Sequence, residues 1–247
     1  MEEWIKTGIP GFDDLLEKGI PKGISILIAG GPGSGKTIFG LQTLNHAASN
    51  GEKCLFMSFE EPPQRLRDHM ADFGWDAEKL EEEGNLMIKR YNTFEVSRAV
   101  EALLEKEEKE LLIEAPPVFI PKGFKPELIV VDSLSAIAAP FAKEEENYRV
   151  YIDQLLRYFE KLDATSFLIT ESVQTPDHTR RLTSSGVEEF LVDGVIVLYN
   201  IRKGDMRVNA LETLKMRGAK FQKKIVPMEI VSGKGLVVYP TEGIFGV

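Results

Sequence analysis

The sequence predicts an α/β fold with a mostly parallel central sheet, helices on both faces and a C-terminal antiparallel extension. Three observations lead there. Residues 30–37 read GGPGSGKT and stand between an apolar run and a helical pattern, the strand, loop, helix setting of a phosphate-binding loop. Short apolar runs then alternate with helical patterns as far as about residue 170, as a parallel sheet with right-handed crossovers requires. Beyond residue 190 the texture changes to closely spaced strand runs parted by glycine turns, which reads as antiparallel pairing.

The elements follow in order. Residues 24–29 form the first strand of the alternation, and Phe39, Leu41 and Leu44 mark the helix after the loop. The turn Asn50-Gly51 leads to a buried strand at 54–59, whose far end carries Glu60 and Glu61. Pro62 and Pro63 open a helix to about residue 73, and the Gly84-Asn85 turn precedes a third strand at 86–90. A helix is expected over about 95–110 and a proline-rich irregular excursion over 111–126. The run ELIVVDS at 127–133 has the continuous apolar character of a strand covered on both faces, and it ends in Asp132. A helix over about 144–162, a strand at 166–170 and a polar loop at 174–185 complete the alternation. The antiparallel tail is assigned to runs at 194–200, 208–216, 225–230 and 236–239, with turns at Gly204-Asp205 and 233–235.

Composition bounds the function. At 247 residues and 43% hydrophobic content the chain has the size of one packed α/β domain, so a single domain over 1–247 is expected. The net charge of −9 gives nucleic acid no support as a partner, because that affinity rests on clustered Lys and Arg. The single cysteine, Cys54, lies beside Leu55 and Phe56 in a strand pattern and reads as a small buried side chain in a reducing compartment. MEEWIKTG carries no apolar signal core, and no stretch of about 18 apolar residues occurs. A cytoplasmic protein without a membrane partner is expected. His46, His69 and His178 are scattered without metal-ligand spacing, and Trp4 and Trp75 read as packing residues.

The octet carries the chemistry. Gly30, Gly31, Gly33 and Gly35 free the backbone to turn N–H groups inward, and Pro32, Ser34 and Ile38 complete the nucleotide-binding segment. Lys36 is placed to reach the β and γ phosphates, and the hydroxyl of Thr37 to coordinate the Mg2+ that bridges them. Asp132, at a strand tip, is the expected acidic partner of that metal. Its successors are Ser133 and Leu134, so no base stands beside it. The acid pair after the second strand supplies one: neighbours cannot both face the same way, and Glu60 is the first choice for orienting water, with Glu61 second. Ligands on parallel sheets bind beyond the carboxyl ends of the strands, and the loop, the acid pair, Asp132 and Glu171 all fall at such ends. Lys215 and Arg217 in LKMRG alternate at a period of two, which suits either a cation inserted into a neighbour's site or an edge strand guarded against aggregation.

On these residues the chain resembles the KaiC-like branch of the RecA superfamily of P-loop ATPases. TGIPGFDDLLEKGIPKGISILIAGGPGSGKT is similar to that family's opening signature, and FMSFEEPP, LIVVDSLSA, GVEEFLVDGVIVL and LETLKMRG are similar to its later blocks, in order. The resemblance runs over nearly the whole chain. It implies a RecA-like P-loop NTPase fold of the single-domain archaeal type, ATP and Mg2+ as ligands, and a homohexameric ring with nucleotide between subunits. It further implies Lys36 and Thr37 on phosphate and metal, Asp132 as the acid of the metal-binding strand, Glu60 and Glu61 as the catalytic pair, and Lys215 and Arg217 acting in trans. Departures are informative too. Glu189 and Phe190 stand where clock members carry phosphorylated serine and threonine, and Phe221 replaces a histidine that follows the arginine in the clock protein's first domain.

The expected function is therefore a Mg-dependent ATPase that hydrolyses ATP between subunits, with an unknown protein partner. Two alternatives compete. One is a recombinase-like or helicase-like motor using the loop at 174–185 with His178, Arg180 and Arg181; that loop offers no aromatic residue to stack on bases. The other is a nucleotide-gated scaffold with little turnover.

Overall fold

The structure, a computed structural model, describes residues 4–94, 120–121, 123–138, 145–172, 183, 186–203 and 205–242. In chain order its strands are β1 (Trp4–Ile5), β2 (Ile20–Pro21), β3 (Ser25–Gly30), β4 (Cys54–Ser58), β5 (Leu86–Arg90), β6 (Leu128–Asp132), β7 (Thr165–Glu171), β8 (Gly194–Lys203), β9 (Met206–Met216), β10 (Val226–Val231) and β11 (Gly235–Val238). The helices are α1 (Lys36–Ser49), α2 (Pro63–Asp72), α3 (Ala77–Glu82), α4 (Leu134–Ala138), α5 (Glu145–Lys161) and α6 (Glu188–Leu191). Strands β1 and β2 make a small antiparallel ribbon. The other nine form one sheet in the order β11-β10-β9-β8-β3-β7-β6-β4-β5.

The mostly parallel sheet with a C-terminal antiparallel extension is as expected, with one correction. The run at 194–200 was assigned to the antiparallel tail, yet β8 pairs parallel with β3 from Ile26↔Gly194 to Gly30↔Leu198. The tail begins only at β9. The physical reason is the connection over 172–193, which is long enough to carry the chain back across the sheet, as a parallel neighbour requires. A short hairpin then forces β9 to be antiparallel.

The alternation of side chains along β3 splits the core. Ile26 and Ile28 join Phe39, Leu41 and Leu44 of α1 on one face, while Leu27 and Ala29 join Tyr151, Leu155 and Phe159 of α5 on the other. Phe39 is fully buried, with Phe12 edge-on at 5.5 Å and Phe167 at 6.1 Å between ring centroids. Buried aromatics of this kind contribute roughly 3–5 kcal/mol each on truncation to alanine. That packing fixes α1 directly behind the loop at residues 30–35.

Helices α3, α4 and α6 were not read from the sequence because each is shorter than two turns and too brief for an apolar period. A signal for α3 existed: the Asp76 side chain caps it, accepting from the Lys79 amide at 3.0 Å. The expected helix at 95–110, residues 111–119 and 122 of the excursion at 111–126 and most of the loop at 174–185 lie outside the described residues.

Candidate functional site

Strand β3 ends at Gly30 and α1 starts at Lys36, so residues 31–35 form a loop at the carboxyl end of the sheet. Gly35 caps α1 with φ 95° and Gly33 has φ 72°, the left-handed region that costs other residues about 1–2 kcal/mol. Gly30 is needed for space: a Cβ there would lie 2.5 Å from Ser34 Oγ and 2.6 Å from the Leu198 carbonyl oxygen. The amide of Ser34 donates to the Gly31 carbonyl at 3.3 Å. Pro32 and Gly33 are exposed at the rim, while Ile38 turns inward and packs on the core.

Ser34 is fully buried and its hydroxyl oxygen has no hydrogen-bond partner among the described residues. An unsatisfied buried hydroxyl costs about 1–3 kcal/mol, so a partner for it is a feature that a bound ligand can supply. It was not singled out beyond its place in the octet, because a serine in a glycine-rich loop gives no sign of which way it points.

The side chains that follow converge on one another. Lys36 Nζ donates to the Gly31 carbonyl at 2.9 Å. Burial lowers its pKa, against the raising effect of Glu171, Asp132 and Glu60. Thr37 Oγ1 donates to Asp132 Oδ2 at 2.8 Å, across 95 positions of sequence. Asp132 ends β6 almost buried. Burial is the main reason its carboxyl is pushed up to about 6, with the charges of Glu60 and Glu61 adding, and with the Thr37 hydrogen bond and Lys36 opposing.

The acid pair divides as adjacent residues must. Glu60 faces the site, where its Oε1 accepts from Ser133 Oγ at 2.5 Å. Glu61 faces α2: its Oε2 lies 3.2 Å from His69 Nε2 and 3.7 Å from Arg65 Nε. The turn between β4 and α2 is closed by one hydroxyl, since Ser58 Oγ donates to the Glu61 carbonyl at 2.6 Å and accepts from the Glu61 amide at 3.1 Å. Phe59 N donates to the Asp132 carbonyl at 2.7 Å, tying this turn to the tip of β6. Glu171, at the end of β7, pairs in register with Gly30, and its amide donates to Ser135 Oγ at 2.9 Å. Ser133 is the residue that sequence reasoning undervalued. Its signal was its position directly after Asp132.

Lys215 and Arg217 are not in this convergence. Lys215 pairs with Val195 of β8, level with Leu27 rather than with Gly30, and its ammonium donates to the carbonyls of Val192 at 2.5 Å and Glu189 at 3.4 Å. Burial lowers its pKa, and the neighbouring Arg217 adds to that. The expected strand period does not extend to Arg217, because β9 ends at Met216 and Arg217 lies in the following turn. There its amide donates to the Asp193 carbonyl at 2.9 Å and its guanidinium pairs with the Asp193 carboxylate at 3.2 Å. Asp193 in turn donates its amide to the Ser25 carbonyl, so Arg217 sits at the opposite end of β3 from the glycine loop. Five residue steps of strand, roughly 16 Å, separate the two levels. Among the described residues, the stretch of β9 that carries Lys215 is bordered by β8 alone, because β10 pairs on β9 only with Leu211 and Ala210.

The family described as "ATPase: KaiC" matches residues 5–243. Circadian clock protein KaiC3 of Synechocystis is 34% identical over 98% of the chain, which spans only 46% of that protein. A UPF0273 protein of the archaeon Aeropyrum pernix is 33% identical, with 97% of this chain and 95% of that one covered. Among solved structures, a KaiC-like protein of the hyperthermophilic archaeon Pyrococcus horikoshii superposes with a TM-score of 0.78 at 33% identity, over 97% of this chain and all of the other. The matches extend on both sides of the glycine loop and through the acid pair, β6 and β9, and the chain belongs to the KaiC family of RecA-like, ATP-binding P-loop ATPases.

Proposed function

We propose that the chain hydrolyses ATP with Mg2+ at the interfaces of a homohexameric ring, each subunit contributing a single domain and each site drawing on two subunits. One observation carries this reading. Lys36, Thr37, Glu60 and Asp132 meet at one end of the sheet, whereas Arg217 stands at the other, too far to serve the same subunit's site.

The division of labour follows from the contacts. The loop from Gly30 to Ile38 holds the phosphates, mainly by backbone N–H groups, and the Ser34 hydroxyl takes up the partner it lacks. Lys36 exchanges the Gly31 carbonyl for the β and γ phosphates. Thr37 and Asp132, already 2.8 Å apart, hold the metal. A bound Mg2+ supplies charge neutralisation across the β and γ phosphates. Asp132 then works as an anion, although burial favours its neutral form. Glu60, held by Ser133, orients the attacking water and accepts its proton. Lys215 and Arg217 of a neighbour stabilise the negative charge that builds on the transferring phosphoryl group. Among the described residues no helix is long and apolar enough to cross a membrane; we infer a cytoplasmic setting, with the composition in support.

Lys36→Ala and Glu60→Gln test the assignment together. Lys36→Ala is expected to lose ATP binding in a fluorescent-nucleotide titration. Glu60→Gln is expected to keep binding and to lose turnover by at least about a hundredfold. Wild-type phosphate release from both variants would overturn the reading.

A further inference from the structure

We propose that His69 is a positioning residue for the acid pair: from the second turn of α2 it fixes Glu61 outward and thereby fixes Glu60 toward the phosphates. This inference deepens the proposed hydrolysis and rests on it.

The observation is a cluster at the start of α2. Arg65 and His69 are spaced by four on the helix and share one face, and Glu61, which precedes the extended Pro62 and lies outside the helix, folds back against both. Glu61 Oε2 accepts at 3.2 Å from His69 Nε2 and lies 3.7 Å from Arg65 Nε. The imidazole is the nearer of the two. The helix that carries His69 cannot shift easily. Leu66 and Met70 are fully buried on the adjacent face. On a third side Arg67 holds Glu81 in a two-bond clamp of 2.7 and 3.0 Å, and two-bond Arg–carboxylate pairs fix direction as well as distance. His69 therefore stands on a held platform, and the Ser58 hydroxyl fixes the Glu61 backbone from the other side.

What this does to Glu60 is a matter of chain geometry. Adjacent residues of an extended turn point to opposite sides. With Glu61 bonded to α2 and its backbone held by Ser58, Glu60 stands on the other side of the turn, where it meets Ser133 beside Asp132. Without the His69 contact the Glu61 side chain is free to turn about its own bonds and compete with Glu60 for the space beside Asp132. The charge of Glu61 already disfavours the ionised form of Asp132 at its present place, and closer approach would strengthen that effect.

The test is kinetic, in the full-length assembled protein. His69→Ala should lower kcat roughly tenfold while KM and nucleotide Kd stay within about twofold, because misplacing a reacting group by about an ångström costs up to roughly a hundredfold in rate. His69→Gln, which returns an N–H donor at similar reach, should recover most of the loss. Glu61→Ala with His69→Ala should turn over no more slowly than Glu61→Ala alone, since both remove one contact. Wild-type kcat in His69→Ala overturns the inference. So do failure of His69→Gln to recover, a loss confined to Tm, and fully additive losses in the double variant. Glu60→Gln, run in parallel, separates the two failures. If it remains active, the assignment of the base fails; if it is inactive while His69→Ala is normal, only the positioning role fails.

Discussion

The two ends of β3 make different kinds of site. At the carboxyl end, the candidate site's side chains hold one another: lysine on a loop carbonyl, threonine on aspartate, serine on glutamate. At the amino end, Lys215 rests on the carbonyls that close α6 and Arg217 on Asp193, and neither touches the phosphate loop. The carboxyl end is thus a preorganised cluster with a carboxyl whose pKa burial raises and a buried hydroxyl that has no partner among the described residues. The amino end presents cations on a rigid rim. The difference teaches that a strand of only six residues suffices to forbid cooperation within one subunit while leaving it open between two.

The largest effect expected is on that separation. Arg217→Ala alone should lose turnover by a factor on the order of a thousand or more, as cations acting in trans on phosphoryl transfer do. Mixed with Glu60→Gln subunits, it should regain partial activity, because some interfaces then combine an intact pocket with an intact rim. No recovery in verified mixed assemblies would place Arg217 outside the reaction.

A smaller effect should appear at the carboxyl end in the absence of nucleotide. The folded pKa of Asp132, about 6, lies above the ordinary carboxylate value of 3.8, so the native state prefers the protonated acid. The sign follows: no penalty below about pH 4, a penalty growing between 4 and 6, and the full penalty above 6. Asp132→Asn should therefore stabilise the nucleotide-free chain at pH 8 by up to about 2–3 kcal/mol, given about 1.4 kcal/mol per pKa unit, and change little at pH 4. Equal Tm values at pH 8 would show that the carboxylate is not penalised. Saturating Mg2+ and ATP should reverse the order of the two proteins, since the proposed metal site uses the Asp132 carboxylate, for which the neutral amide is a poor substitute.

The smallest effect is expected from the loop itself. Gly35→Ala forces a Cβ into φ 95°, with Leu236 at 3.3 Å and Ile230 at 3.4 Å. The cost should be about 1–2 kcal/mol, read as a fall in Tm, and weaker ATP binding should accompany it. An unchanged Tm would mean that the loop adjusts its backbone freely.

Much of this was legible in the sequence. The octet, the apolar runs and the carboxylate-bearing strand tips fixed β3, β4, β6 and α1 and gathered their ends on one side of a parallel sheet, because continuous apolar runs and glycine-rich loops each admit few backbone solutions. The period of two at Lys215 and Arg217 was misleading in detail, since β9 stops at Met216. Phe221, noted for the histidine it replaces, bridges to Leu16, joining the C-terminal part of the chain to its N-terminal part.

The chain order alone thus determined the phosphate loop, its helix and the alternation behind the parallel core; these depend on local periodicity and on backbone freedom. Only the tertiary structure decided that β8 joins the parallel set, that Ser133 meets Glu60, that His69 faces Glu61, and that the cations of β9 and its turn stand at the far end. Those facts depend on which strands become neighbours and at what register, and register is set by side chains far apart in sequence packing on both faces of one sheet.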